Sequence, residues 1–213
     1  MRLKTSCLTL AALMVLAGMA AAQWPSSPDQ RLFIGYGVES RIVSDGQGGA
    51  FVIYTSYPGS MWNDCYLQKL DSQGYPQLFP PIQLDVGFGT LTDAFEAVTD
   101  GEGGVIVAVN QLNTSNWFHR LGLFRFTGEC DTLYWNADPD TLQYTSFEPK
   151  CASDSAGGIY LLYGHHSDTL YMDERICLQH IAPNGERLWG DAGFTMEVGL
   201  PTGITDEIAL CAD

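Results

Sequence analysis

Ser44-Asp45-Gly46-Gln47-Gly48-Gly49 is one of three matching stretches, with Thr99-Asp100-Gly101-Glu102-Gly103-Gly104 and Ser153-Asp154-Ser155-Ala156-Gly157-Gly158. Each follows a short mixed run and precedes a strongly apolar one: Ala50 to Thr55, Val105 to Val109, and Ile159 to Tyr163. An aspartate that opens a turn, with glycines that supply positive φ, signals a tight β-hairpin. In the third copy Ser155 replaces the first glycine while the last two remain. That replacement puts the expected left-handed position at Gly48, Gly103 and Gly157. It leaves Gly49, Gly104 and Gly158 for close backbone packing.

The motif aspartates Asp45, Asp100 and Asp154 are 55 and 54 residues apart, a period that belongs to solenoids and propellers. Each unit repeats one order. A mixed strand enters the turn (Arg41 to Ser44, Phe95 to Thr99, Lys150 to Ser153) and the apolar strand leaves it. A polar and aromatic loop follows: Tyr57 to Asp64, Leu112 to Arg120, Gly164 to Arg175. A third strand comes next (Tyr66 to Leu70, Leu121 to Phe126, Cys177 to Ile181) and enters a second glycine turn. The fourth strand is expected to begin near Phe79, Trp135 or Trp189. Val105-Ile106-Val107-Ala108-Val109 has no polar face, so both of its sides must be buried. Four short strands with glycine turns in roughly 50 residues match one propeller blade. The expected fold class is all-β: three four-stranded antiparallel blades in an incomplete ring.

The first 22 residues read as a secretory signal peptide. Arg2 and Lys4 give a basic start, Leu8 to Ala17 an apolar core, and Ala20-Ala21-Ala22 a cleavage site before Gln23;. The 16-residue apolar run from Cys7 to Ala22 is shorter than the roughly 20 residues of a spanning helix. The organisation expected is a signal peptide (1–22), a linker (23–30) and a partial propeller (31–213). Within the last, 31–37 is a lone outer strand, 38–92 blade 1, 93–146 blade 2, 147–205 blade 3 and 206–213 the start of blade 4. Because propellers typically have 4 to 8 blades, the expectation is that the remaining blades belong to a longer chain.

Removal of residues 1–22 leaves eight basic against 25 acidic residues, a formal charge of −17. Such a chain is a poor partner for nucleic acid, whose phosphates need Lys and Arg. It suits an exported, extracellular or cell-surface protein, or one that binds cations. Cys65, Cys130, Cys151, Cys177 and Cys211 remain, with no C-x-x-C or zinc-like spacing. Cys65 and Cys177 fall near one point of their repeats, and Cys151 and Cys211 near another, which favours buried small hydrophobes over a disulfide framework.

Two segments carry a resemblance. Asp154-Ser155-Ala156-Gly157-Gly158-Ile159-Tyr160 and Leu178-Gln179-His180-Ile181-Ala182-Pro183-Asn184-Gly185-Glu186-Arg187-Leu188-Trp189 resemble the repeats of secreted bacterial β-propeller proteins. They are similar to NHL-type and related propeller repeats, which pair an aspartate–glycine hairpin with a second glycine turn. The resemblance implies the propeller fold and is nearly silent on function, because such blades serve scaffolds, binding modules and enzymes.

Candidate chemistry is sparse. His165-His166-Ser167-Asp168 tempts as a metal site, but adjacent residues of an extended strand point to opposite faces. His180 stands where Lys69 and Arg125 stand in the other units and reads as an ordinary polar strand position. Glu39, Glu148 and Glu207 lie six residues before a motif aspartate and Glu96 four before, a recurrence that points to bonding between blades. Asp138-Pro139-Asp140 could contribute to a calcium site but lacks EF-hand spacing. No carboxylate pair stands out as a glycosidase would require, and no catalytic nucleophile motif occurs. The best functional lead is aromatic: Trp62, Trp117, Phe118 and Tyr171, beside Asp168, would gather on one face suited to sugar rings or peptides.

The reading carried forward is a non-catalytic, exported propeller module that binds a protein or glycan or acts as a scaffold. The alternatives are a propeller enzyme acting on glycans, with catalytic residues partly in other blades, and a cation-stabilised structural surface protein.

Overall fold

The computed structural model describes residues 33–35, 37–56, 64–84, 91–113, 118–136, 149–166, 174–190 and 193–196. Among these residues the chain forms strands and no helix. The first sheet holds β1 (Ser40–Ser44), β2 (Ala50–Ser56), β3 (Asp64–Leu70) and β4 (Ile82–Leu84). The second holds β5 (Leu91–Thr99), β6 (Val105–Asn113), β7 (Phe118–Phe126) and β8 (Thr132–Asn136). The third holds β9 (Lys150–Ser153), β10 (Ile159–His166), β11 (Glu174–Ile181) and β12 (Phe194–Met196). Within every sheet neighbours in space are neighbours in sequence, and every pairing is antiparallel.

The apolar second strands set the packing. β6 is buried on both faces. Val105, Val107 and Val109 meet Phe51, Ile53 and Leu67 of the first sheet. Ile106 and Ala108 meet Ile159, Leu161 and Tyr163 of the third. A strand alternates its side chains between faces, so one uninterrupted valine-rich run serves two interfaces. The first strands adjoin at one side of the stack, β1 beside β5 and β5 beside β9. Arg41 Nε lies 3.5 Å from Glu96 Oε1 across the first of these contacts.

Several boundaries differ from the sequence expectation. Strands run further into the aromatic loops than composition suggests, because ladder pairing continues: Asn113 pairs with Phe118 and His166 with Glu174. β5 begins at Leu91 and carries a bulge between Thr92 and Ala94. The fourth strands do not all start on their aromatics. Phe79 is exposed and precedes β4, Trp135 lies inside β8, and Trp189 precedes β12. A buried glutamine explains two of the offsets. Gln68 accepts from Leu78 N (2.9 Å) and donates to Leu78 O (2.8 Å). Gln179 accepts from Trp189 N (3.1 Å) and donates to Gly190 O (2.7 Å). Each side chain pairs with the approach segment as a strand would, and the fourth strand starts after it.

Residues 33–35 and 37–39 are not in a strand. Instead, Gly35 rests on the Tyr54 ring so closely that a β-carbon would fall 2.8 Å from it. The expected signal peptide, the linker and the start of a fourth unit lie outside the described residues.

Candidate functional site

The three aspartate turns share one geometry. Asp45 Oδ1 accepts from Gln47 N and Gly49 N, both at 2.8 Å. Asp100 Oδ1 accepts from Glu102 N (2.9 Å) and Gly104 N (2.7 Å), and Asp154 Oδ1 from Ala156 N and Gly158 N (both 2.8 Å). The residue ahead of each aspartate adds a further bond: Ser44 Oγ, Thr99 Oγ1 and Ser153 Oγ accept from the amides of Gly46, Gly101 and Ser155 at 3.1 to 3.2 Å. The hydroxyl is part of the motif, and its recurrence in all three copies was the available signal.

The glycines divide by role. Gly48, Gly103 and Gly157 have φ of 97°, 91° and 88°. The left-handed backbone is not confined to them, because Gly46, Gly101 and Ser155 have φ of 72°, 77° and 61°. Serine is admitted there because the site faces open space: a β-carbon on Gly46 or Gly101 would meet nothing within 4 Å. Gly49, Gly104 and Gly158 are excluded from change by contact. A β-carbon there would fall 2.2 to 2.4 Å from the carbonyls of Leu70, Phe126 and Ile181.

In two of the turns the second carboxylate oxygen bonds a basic side chain, Arg125 at Asp100 and His180 at Asp154. Arg125 is buried and donates from Nε (3.1 Å) and Nη2 (2.9 Å) to Asp100 Oδ2. Its Nη2 also meets Glu102 Oε2 at 2.8 Å, and its Nη1 crosses to Pro183 O in the third sheet at 2.7 Å. Lys69, at the same register position of the first sheet, donates to Gly128 O of the second. His180 completes the row, with Nε2 2.8 Å from Asp154 Oδ2. The position is therefore not an ordinary polar one: it bonds the turn aspartate or the next sheet's second hairpin, and Arg125 does both. For Asp154, burial raises the carboxyl pKa, but the His180 bond and the two amide bonds outweigh it and hold the group below the usual range.

This arrangement is a frame. Each turn carboxylate is occupied by backbone amides, and that of Asp100 also neutralises a buried guanidinium. Among the described residues no group of three His, Cys, Asp or Glu converges as a metal site. The buried Cys65, Cys130, Cys151 and Cys177 are in no disulfide with one another. Burial pushes the thiols of Cys65, Cys130 and Cys151 up, away from the thiolate a nucleophile needs. Cys65 and Cys177 are one register apart, opposite Thr55 and Tyr163. They therefore pack on opposite faces, Cys65 toward the second sheet and Cys177 also toward the second, from the third.

The aromatic face is only partly placed. Phe118 opens β7 opposite Asn113, while Trp62, Trp117, Tyr171 and Asp168 lie outside the described residues, as do Asp138 and Asp140. His165 and His166 lie in β10, paired with Arg175 and Glu174. Glu96 bonds Arg41 between sheets; Glu148 and Glu207 lie outside the described residues. No helix among the described residues is long and apolar enough to cross a membrane. No protein-family model matches the sequence, and no curated protein is significantly similar to it.

Proposed function

We propose that the chain is a run of β-propeller blades, related to NHL-type repeats, that acts as a non-catalytic binding or scaffolding module of an exported protein. The observation that carries this reading is the stacking of three like sheets with their first strands adjoining, β1 to β5 to β9. A propeller places its blades in that way around a centre. The turn carboxylates and basic side chains serve the frame, which leaves recognition to Trp62, Trp117, Phe118 and Tyr171 with Asp168. Aromatic rings beside carboxylates suit the apolar faces and hydroxyls of sugars, or a peptide. Calcium held by carboxylates such as Asp138 and Asp140 is compatible with the acidic charge.

The test is titration of the purified protein with soluble polysaccharides and peptides, followed by tryptophan fluorescence and by assay of the ligand for cleavage. Binding without cleavage, weakened at least several-fold by Trp117→Ala at an unchanged melting temperature, is the expected result. Cleavage of a bound ligand would replace this reading with the enzymatic one. Export is tested separately: secreted material should begin at Gln23, and retention of residues 1–22 would refute cleavage there.

A further inference from the structure

The interface between the first and second sheets ends in a polar layer. Thr55 pairs with Cys65 and Cys65 with Leu84, so the three share one face of the first sheet. Cys65 and Leu84 belong to the core between the two sheets. Across that core Thr92 pairs with Gln111. Gln111 continues the alternation of Val105, Val107 and Val109 toward the first sheet;. Its Nε2 donates to Leu84 O at 3.0 Å and to Thr92 Oγ1 at 3.4 Å. Thr55, Thr92 and Gln111 are 2%, 2% and 4% exposed.

The hydrogen bonds of this layer do not close on themselves. Thr55 Oγ1 is buried and meets no hydrogen-bond partner in the protein. The residue is held in place: Val38 N donates to Thr55 O and Thr55 N to Glu39 O, both at 3.1 Å. A β-branched side chain on a fixed backbone has few rotamers with which to seek another partner. Thr92 Oγ1 accepts from Gln111, which leaves its own proton to be placed. An unbonded buried hydroxyl costs stability, and protein interiors meet such groups with ordered water.

We propose that one buried water molecule bridges Thr55 Oγ1 to Thr92 and Gln111 between the first two sheets. A water accepts two hydrogen bonds and donates two, so it can take the protons of both hydroxyls. The chemistry of the layer selects water over a cation. The side chains of Thr55, Cys65, Leu84, Thr92 and Gln111 include no carboxylate, and a buried ion there lacks a counter-charge. The Gln111 amide hydrogens already engage Leu84 O and Thr92 Oγ1, the oxygens that a cation would need. The inference is independent of what the aromatic residues bind.

The test is Thr55→Val in the purified protein, which exchanges the hydroxyl for a methyl of nearly the same shape. If the hydroxyl is unbonded, this change removes an unsatisfied polar group and raises the melting temperature. With the water in place it breaks a bonded site and lowers the melting temperature, by about 2–4 °C. Thr92→Val should lower it as well, and the double variant should lose less than the sum, since both hydroxyls hold one water. A crystal structure should show a single ordered peak within hydrogen-bond distance of Thr55 Oγ1, without anomalous signal after a rubidium soak. A higher melting temperature for Thr55→Val overturns the proposal, and so do additive losses. Density that is empty, that belongs to a protein group or that carries a rubidium signal overturns it too, the last in favour of a cation.

Discussion

At the scale of the residue, the turn glycines rank by different causes. Gly158→Ala forces a β-carbon to 2.3 Å from Ile181 O, so something in the hairpin must shift. Gly157→Ala puts a side chain at positive φ, which costs about 1–2 kcal/mol. Gly46→Ser also puts a side chain at positive φ but meets open space, as Ser155 does, whereas a β-carbon on Gly157 would also crowd Arg125 at 3.1 Å. Chemical denaturation should therefore order the losses as Gly158→Ala, then Gly157→Ala, then Gly46→Ser with the φ cost alone; any other order would mean that contact and φ have been weighed wrongly. Asp100→Ala removes the oxygen that accepts from two backbone amides and strands a buried Arg125, so its expected cost is about 3–5 kcal/mol. Asp45→Ala serves as the control, and an equal loss there would deny the guanidinium any special part. Asp154 has its own pH signature. Its folded pKa is lowered, so its contribution is complete above the usual carboxylate value and is lost as pH falls through the lowered one. Acid titration of Asp154→Asn should lack that loss; identical acid limbs for variant and wild type would rule it out. The turn was legible in the sequence because its hydrogen bonds close within six residues. Arg125 was not, because its partners Asp100 and Pro183 lie 25 and 58 residues away.

At the scale of the element, β2, β6 and β10 could be read from their apolar runs, since length and hydrophobicity are local properties. The fourth strands could not. β4 and β12 have three residues each, and their starts are set by Gln68 and Gln179 from the strand alongside. Two identical buried glutamines at one register position were the trace left in the sequence. The two-sided burial of β6 has a direct measure. Val107→Thr keeps the shape but buries a hydroxyl at a fully buried site, at an expected cost of about 1–3 kcal/mol. Ile42→Thr, at an exposed position of β1, should leave the stability unchanged. Similar losses for both would show that Ile42 is covered in solution.

At the scale of the whole molecule, the order of the sheets followed from a 55- and 54-residue spacing, because each unit closes its own sheet before the next begins. The proposed ligand surface could not be followed in the same way: Trp62, Trp117 and Tyr171 lie outside the described residues, and no periodicity in the sequence fixes where such side chains point. That each sheet is built only from consecutive strands has a kinetic consequence. Every ladder joins residues close in sequence, so loop closure is inexpensive and folding can begin in any unit. The contacts from Lys69 to Gly128 and from Arg125 to Pro183 then join finished sheets, late and in either direction. A nascent chain could thus secure each sheet in turn as it emerges, with no strand waiting for a distant partner.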